Sequence, residues 1–365
     1  MPLSDPNARR MFRKELDRLW LLGRSLVVGW SVIKGRVALL LLPNARLPEI
    51  ERIGAELILG GPRRLGTDAF HAAVRRFGLE PVLMERPEIG APSPREVAAI
   101  ETLLRPYGLA FTERRAVALV DIVAFSRASR LEQAAKLNSL AYSIAIAQRR
   151  SGQLHLDVDL GRSSTGDGFY LWNRRGGEAA DIDLACLVLL ALADNRLAAD
   201  GGGVVPLLRA GLTTGSHFSF FQPDSDGDRS YEFIVGETTI SLARIVGAAA
   251  PRQILLGAAV GDAARFASAV QQRLAGLGRI ALPDLHLHCL AVRLSGGAAP
   301  RRSVVRGKHG IDYPAYNLRT DLELDDGAAV SLGLATELGR RRLDAPAPLG
   351  AGAPGQSATV SPPST

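Results

Sequence analysis

Apolar and polar positions follow two periods along this chain, one of two residues and one near 3.6, which predicts a mixed α+β protein. Residues 25–33 and 36–42 are apolar runs around the turn Lys34-Gly35, the pattern of a β-hairpin. Helical spacing predicts helices over residues 5–20, 47–58, 67–77 and 93–107. The last of these has Ser93 as N-cap and Pro94 at its first position. Residues 1–111 carry no chemical motif and are interpreted as an accessory α+β domain.

From residue 112 the pattern changes to an apolar strand followed by a long helix, and the order strand-helix-strand-strand-helix-strand results. The predicted elements are strand 117–120, helix 129–150, strands 154–165 and 169–172, helix 180–197, and strands 204–213 and 231–235. This order is the signature of a ferredoxin-like α+β fold with an antiparallel-rich sheet. Residues 112–297 are predicted to form one domain and 298–343 a C-terminal hairpin or helix extension. The Ala-, Pro-, Gly- and Ser-rich residues 344–365 are predicted to be a disordered tail.

Composition changes this picture little. The chain has 365 residues with 47% hydrophobic content and two cysteines, Cys186 and Cys289, both inside apolar runs. That usage matches no disulfide framework or zinc pattern and favours the cytoplasm. No apolar run reaches the ~20 residues that a bilayer-spanning helix needs, so no integral membrane segment is expected. The net charge of +7 comes without a basic stripe interleaved with aromatics, so a solvated arginine-rich surface is favoured over nucleic-acid binding.

Two acidic residues stand where predicted strands end. Asp121 follows the apolar run Val117 to Val120, and Asp167 lies in the turn Thr165-Gly166-Asp167-Gly168. If the two strands are neighbours in one sheet, both carboxylates can converge on one or two divalent cations, since Mg²⁺ prefers carboxylate and phosphate oxygens. The alternative is that each aspartate only caps a helix or fills a turn.

Three segments, in this order, resemble the catalytic domain of class III nucleotidyl cyclases, the adenylate and guanylate cyclases. The matching segments are Val120-Asp121-Ile122-Val123-Ala124-Phe125-Ser126, then Thr165-Gly166-Asp167-Gly168-Phe169, and then Leu208 to Gly215 followed by Val235 to Arg244. The resemblance covers about half of the chain, residues 113–297, and leaves both flanks uncovered.

The resemblance implies an enzyme that converts a nucleoside triphosphate to a 3′,5′-cyclic nucleotide and pyrophosphate in intracellular signalling. It implies two Mg²⁺ or Mn²⁺ ions as cofactors, held by Asp121, Asp167 and the main chain of Ile122. The turn of Val123, Ala124, Phe125 and Ser126 would bind the triphosphate, and Arg244 would stabilise charge on the α-phosphoryl oxygens. Because the family forms its active site between two antiparallel catalytic domains, a homodimer with shared active sites is expected.

The sequence also departs from the family pattern. Ile240 stands where an asparagine usually orients the ribose, and the neighbouring Ser241 points about 100° away on a helix. Ser163 and Phe233 occupy the two positions that select adenine or guanine. The base therefore stays open among ATP, GTP, CTP and UTP. These departures also support a second interpretation, a catalytically inactive cyclase-like module that binds nucleotide or acts as a dimeric regulatory scaffold.

Overall fold

The computed structural model describes residues 5–20, 24–53, 63–88, 92–200, 204–223, 230–277, 288–294, 302–307, 310–323 and 329–334. In the first third the elements are helix α1 (Pro6–Trp20), strands β1 (Ser25–Ile33) and β2 (Arg36–Pro43), helices α2 (Leu47–Ile53) and α3 (Thr67–Phe77), strand β3 (Pro81–Glu88) and helix α4 (Pro94–Leu104). Single 3-10 turns follow β2 at Asn44–Arg46 and α4 at Arg105–Tyr107.

The N-terminal sheet has the order β1-β2-β3 and is antiparallel throughout. Val37 and Leu39 of β2 pack with α1 and α4 on one face, while Ala38 and Leu40 pack with α2 and α3 on the other. Because both faces are covered, β2 is a continuous apolar run rather than an alternating one. The predicted hairpin is confirmed, with Lys34 and Gly35 both at positive φ (49° and 76°), as a two-residue hairpin turn requires.

The second part of the chain contains the larger sheet and four long helices. Its elements are β4 (Leu109–Ile122), α5 (Arg130–Gln153), β5 (Leu160–Ser164), β6 (Gly168–Asn173), α6 (Glu178–Asp200), β7 (Leu208–Pro223), β8 (Ser230–Val235), α7 (Glu237–Ala248), β9 (Ile254–Gly257), α8 (Ala263–Ala275), β10 (His288–Leu294), β11 (Arg302–Arg306), β12 (Asp312–Glu323) and β13 (Ala329–Leu332). The strand-helix order predicted from the sequence is confirmed.

The sheet order is β10-β12-β9-β7-β4-β6-β5, with β8 paired to β7, and β11 and β13 paired to β12. Only the β7–β9 pair is parallel among these pairings of described strands. The run β5-β6-β4-β7 is the ferredoxin-like arrangement. Helices α5, α6 and α8 cover one face, and α7 covers the other.

Residue parity in β4 decides which face receives each side chain. Ala116, Ala118 and Val120 belong to the core under α5 and α6, whereas Val117 and Leu119 pack against α7. Asp121 therefore continues the row that faces α7. This places the first candidate metal ligand on the less covered side of the sheet.

Several element boundaries differ from the sequence prediction. The strand predicted at 154–165 is wrong in its first half, because α5 extends to Gln153 and Leu154 and Leu156 enter the core from a loop. Strand β3 was not predicted. Strand β7 continues to Pro223, ten residues beyond the predicted end at residue 213. Residues 54–58 of the second predicted helix and the predicted tail at 344–365 lie outside the described residues.

Two domain limits proposed from the sequence separate residues that belong to the same strand or the same sheet. The limit between residues 111 and 112 lies inside β4, and Leu109 and Phe111 at its start pack against the N-terminal core. The C-terminal hairpin β11–β12 is present, with Arg302 opposite Tyr316, but β12 also pairs with β10 and β9. The hairpin is therefore part of the main sheet. No described helix is long and apolar enough to span a membrane.

Candidate active site

Asp121 lies at the end of β4 between two neighbouring strands. Gly168 of β6 is its partner on one side and Arg209 of β7 is its partner on the other. Asp121 is only 7% exposed. A carboxylate at this depth requires a positive partner or a bound cation, because burial disfavours its charged form.

The hairpin between β5 and β6 brings Asp167 to the same end of β4. The carbonyl of Asp167 accepts a hydrogen bond of 2.9 Å from the N–H of Ile122. Gly166 has φ +97°, a conformation that favours glycine. A Cβ on Gly168 would lie 2.2 Å from the carbonyl oxygen of Val120, so only glycine permits this close approach of β6 to β4. The two glycines therefore fix the position of Asp167 beside Asp121.

The electrostatics of Asp121 reflect opposing influences. Burial raises the pKa of Asp121 above its ordinary value, and the nearby Asp167 carboxylate raises it further. Arg209 acts against both, with its Nε donating to Asp121 Oδ2 over 2.7 Å. The Arg209 Nη1 group also donates to the carbonyls of Gly247 and Ala249 at the end of α7. Arg209 is thus the cationic partner of Asp121 and favours the ionised form of that carboxyl against burial.

The turn after β4 has the backbone conformation of an anion-binding turn, but one of its N–H groups is already hydrogen-bonded. Ala124 is in the left-handed region with φ 54° and is followed by a 3-10 turn from Phe125 to Arg127. The N–H of Val123 already donates to the carbonyl of Leu207 over 2.8 Å, so this group is engaged within the sheet. The N–H groups of Ala124, Phe125 and Ser126 are the remaining candidates for a phosphate.

The start of the following helix is already capped by its own residues. Ser129 accepts from the N–H of Glu132, and the Glu132 carboxylate accepts from the N–H of Ser129, which is a capping box. The Glu132 carboxylate therefore lies at the N-terminus of α5, where the helix dipole favours negative charge. A triphosphate bound near this end would meet that carboxylate as a competing anion.

Arg244 and the ribose positions lie on a different element from the acids. Arg244 and Ile240 are four residues apart on α7 and share its outer face, and Ile240 is 55% exposed. Ser241 is half-buried beside them. In the described part of the chain Arg244 forms no hydrogen bond or ion pair. Its guanidinium is therefore available to a substrate or to a second chain.

The two base-selecting positions are separated in the sheet. Ser163 lies in β5 opposite Tyr170. Phe233 lies in β8, and its ring stacks on Phe220 with centroids 5.3 Å apart. The structure thus brings together Asp121, Asp167 and the turn after Ile122. It places Phe233, Ile240, Ser241 and Arg244 on the β8–α7 segment, outside that cluster.

Sequence reasoning missed Arg209 and Tyr170. The Tyr170 hydroxyl donates to the carbonyl of Thr239 in α7 over 3.0 Å, and burial together with Asp121 raises the pKa of this phenol. Tyr170 therefore joins β6 to α7 next to the acid pair. Neither residue carries a sequence signal of its own, because only the pairing register of β6 and β7 with β4 brings the two side chains next to Asp121.

Comparison with solved structures finds catalytic domains of adenylyl and guanylyl cyclases. A guanylate cyclase domain from Catenaria anguillulae in complex with GTP is 17% identical, with a TM-score of 0.36, over 57% of this chain and 98% of that one. The guanylyl cyclase Cya2 gives 13% identity, a TM-score of 0.39, and coverage of 57% and 92%. The adenylyl cyclase CyaB from P. aeruginosa gives 12%, 0.36, and coverage of 57% and 95%.

No protein-family model matches the chain, and no curated protein sequence matches it. At 12–17% identity and TM-scores below 0.5 the likeness concerns the arrangement of strands and helices. It assigns no role to any side chain.

The donor set at the acid pair fits a hard divalent cation. Asp121 and Asp167 supply carboxylate oxygens. Burial and, to a smaller extent, the Asp167 carboxylate raise the pKa of Asp121, and a cation between the two acids would oppose both effects. No cluster of three or more acidic, histidine or cysteine residues with metal-binding geometry occurs among the described residues. Two carboxylates suit Mg²⁺ or Mn²⁺, because such ions usually complete their shell with water and substrate phosphates.

Proposed function

We propose that this protein is a metal-dependent nucleotidyl cyclase, which converts a nucleoside triphosphate to a 3′,5′-cyclic nucleotide and pyrophosphate. The observation that carries the proposal is the convergence of Asp121 and Asp167 at one strand end, beside the left-handed turn at Ala124. Convergent carboxylates next to free backbone N–H groups suit a site for metal ions and phosphates. The ordered motif resemblance adds to this support.

Asp121, Asp167 and the main chain of Ile122 would hold two Mg²⁺ or Mn²⁺ ions. When bound, such ions lower the pKa of an attacking hydroxyl and neutralise charge on departing phosphates. The protein's own part is to hold the two carboxylates at one strand end and to favour the ionised form of Asp121. Arg209 contributes to the second by its hydrogen bond to Asp121, which opposes the effect of burial on the pKa of that carboxyl.

Arg244 would bind the α-phosphoryl oxygens and stabilise the negative charge that develops there. Removal of one preorganised donor of this kind typically costs about 10² to 10³ in rate. Its position on the outer face of α7, apart from the acid pair, supports action on the site of a second copy. Ile240, Tyr231 and Val235 are exposed apolar side chains of the same β8–α7 segment, and such a surface suits a homodimer.

The second candidate is a nucleotide-binding module without turnover. It is favoured by Ile240, which offers no hydrogen bond to a ribose, and by the capping carboxylate of Glu132 at the start of α5. Both candidates predict nucleotide binding. Only the first predicts a cyclic product.

The test is to incubate the purified full-length protein with ATP, GTP, CTP or UTP and Mn²⁺ or Mg²⁺, and to analyse the products by mass spectrometry. The control variant is Asp121→Asn, which keeps the shape of the side chain and removes its charge. A cyclic nucleotide formed by the wild type and lost in the variant supports the enzyme and names its base. Nucleotide binding without any cyclic product would support the binding module instead.

Mixed dimers test the shared site. Asp121→Asn and Arg244→Ala are each expected to be inactive alone. In a random mixture, half of the dimers would contain one chain of each kind, and one of the two sites in each would be intact, so about a quarter of the wild-type activity should return. No recovery, with dimers shown by light scattering, would contradict a site built from two chains.

A further inference from the structure

A cavity lies on the face of the sheet opposite α7. Its volume is about 500 Å³, within the range of small-molecule pockets. The C-terminal half of α6, the segment leading into β7, the start of β9 and the end of β13 form its walls. The motif resemblance assigns nothing to it.

One face of α6 points into this cavity. Leu192, Asn195, Arg196 and Ala199 all line it, and their spacing of three, four and seven residues places them on one side of a helix. Leu208, Ile254 and Leu332 supply apolar surface from the strands. The cavity is therefore a mainly apolar chamber, with polar side chains contributed by α6, by β7 and by the turn before β9.

Asn195 is a buried polar residue of the chamber whose amide nitrogen has no partner among the described residues. The residue is only 6% exposed, and its Nδ2 group has no hydrogen-bond acceptor in the described part of the protein. Gln253, also in the wall, is engaged, since it donates to Asn317 and accepts from the N–H of Ala250. A buried amide donor left unpaired at a cavity wall is suited to an acceptor on a ligand.

The charged wall residues have one sign. Arg196, Arg209 and Arg252 line the cavity, and none of its described lining residues is acidic. The Arg209 guanidinium is engaged with Asp121. Among the described residues, Arg196 has one ionic contact, of 3.6 Å to Asp200. Arg252 stands exposed at the turn before β9, with φ 66°. Arg196 and Arg252 thus offer positive charge to an anionic ligand.

We propose that this cavity binds a small amphipathic carboxylate, with an apolar body among the leucines of α6, β7 and β13 and an acidic head at Asn195 and Arg196. The combination of an apolar chamber, an unpartnered buried donor and same-sign charge supports this ligand class over a neutral or cationic one. This binding does not depend on the proposed cyclase activity.

Sodium decanoate is the probe, and decanol is the neutral probe with the same chain length. Isothermal titration of the full-length protein at neutral pH should show saturable binding of decanoate and at least about tenfold weaker binding of decanol, the value of one charge-assisted contact. Equal affinity for both probes, or no saturable binding of decanoate, would overturn the proposal.

Two variants and a matched control locate the site. Asn195→Leu removes the unpartnered amide, and Arg196→Gln removes the nearest charge while keeping a good helix former. Each should weaken decanoate binding by about tenfold. Arg149→Gln removes an exposed arginine from helix α5, outside the cavity, and should bind as the wild type does. If Asn195→Leu does not fold, Arg196→Gln still decides. Wild-type affinity in Arg196→Gln, or loss of binding in the control as well, would contradict the assignment.

Strand β7 connects this cavity to the acid pair. Leu207 and Arg209 both line the cavity. The carbonyl of Leu207 accepts from the N–H of Val123, and Arg209 pairs with Asp121. A bound ligand that displaces this segment would change the metal site. Decanoate should therefore shift the affinity for Mn²⁺ several-fold, and Mn²⁺ should shift the affinity for decanoate by the same factor. This consequence rests on the proposed metal site. Decanoate binding with unchanged Mn²⁺ affinity would overturn the coupling alone, and an absence of any Mn²⁺ binding would overturn the proposed function.

Discussion

The Asp121–Arg209 pair can be tested without any assay of activity. The perturbation is Arg209→Met, which keeps an unbranched side chain and removes the guanidinium. Its Nε group lies 2.7 Å from Asp121 Oδ2, with side-chain exposures of 27% for Arg209 and 10% for Asp121. After the substitution, Asp121 loses its cationic partner.

The magnitude follows from the partial burial of the pair. Exposed ion pairs contribute about 0.2–1 kcal/mol, whereas removal of one partner from a buried pair costs about 3–5 kcal/mol. With one carboxylate buried and one guanidinium a quarter exposed, we expect a coupling free energy of about 2–3 kcal/mol at pH 7. The lost bonds to Gly247 and Ala249 add about 1 kcal/mol each to the destabilisation, but they cancel in a double-mutant cycle.

The assay is urea unfolding of the wild type, Arg209→Met, Asp121→Asn and the double variant, followed by circular dichroism at pH 7 and pH 4. The folded-state pKa of Asp121 is raised, so the protonated carboxyl is favoured by folding, and its contribution to stability is present at low pH and lost as pH rises through that pKa. Without Arg209 the pKa rises further. The destabilisation by Arg209→Met should therefore be larger at pH 7 than at pH 4.

A coupling free energy below about 0.5 kcal/mol would mean that the two sites are additive. The ion pair would then add nothing to the free energy of unfolding beyond the other contacts of each residue. The inference that Arg209 stabilises the ionised form of Asp121 would be wrong. Equal destabilisation by Arg209→Met at both pH values would contradict the electrostatic explanation in the same way.

Three further predictions concern other positions. His217 is buried with neither ring nitrogen paired in the described structure, and burial, then Arg115, lowers its pKa to about 4. The free energy of unfolding of the wild type should therefore fall as pH drops from about 6.5 to 4, and His217→Leu should gain about 2 kcal/mol relative to the wild type between pH 8 and pH 5. A stability difference that does not change with pH would refute this. Gly168→Ala should cost about 3 kcal/mol or more in urea unfolding, since its Cβ would meet the Val120 carbonyl. The control Gly176→Ala, where a Cβ meets open space, should cost less than about 1 kcal/mol. Equal losses of stability in the two variants would contradict the close approach of β6 to β4. Ile240→Asn should raise turnover about tenfold if ribose orientation limits the proposed reaction, and unchanged turnover in a nucleotide-binding variant would count against that limit.

Local features of the chain were predicted well because neighbouring residues cause them. Ser93 and Pro94 begin α4, with Ser93 and Glu96 forming a capping box. The hairpin at Lys34-Gly35 forms because both residues adopt positive φ. The strand-helix order of the larger domain followed from the alternation of two hydrophobic periods. The cap and the hairpin depend on a few consecutive residues, and each element of the strand-helix order depends on its own stretch of the chain.

Features that depend on distant partners were missed or misplaced. Leu154 and Leu156 look like the start of a strand, yet they enter the core from a loop because α5 continues to Gln153. Strand β12 looks like half of an isolated hairpin, yet it lies between β10 and β9. In each case the competing arrangement is decided by packing against elements far away in the chain, which overrides local preference.

The sequence by itself determined which residues are candidates for chemistry, since Asp121, Asp167 and the glycines around them are recognisable by their types and spacing. Only the tertiary structure decided what surrounds them. Arg209 faces Asp121 because β7 pairs with β4 in one register out of many, and a shift of one residue would turn that side chain to the other face of the sheet. Asn195 of α6 likewise lies at a cavity wall without an acceptor among the described residues because of how α6 packs on the sheet. Charge and burial depend on long-range pairing, and no local pattern encodes that pairing.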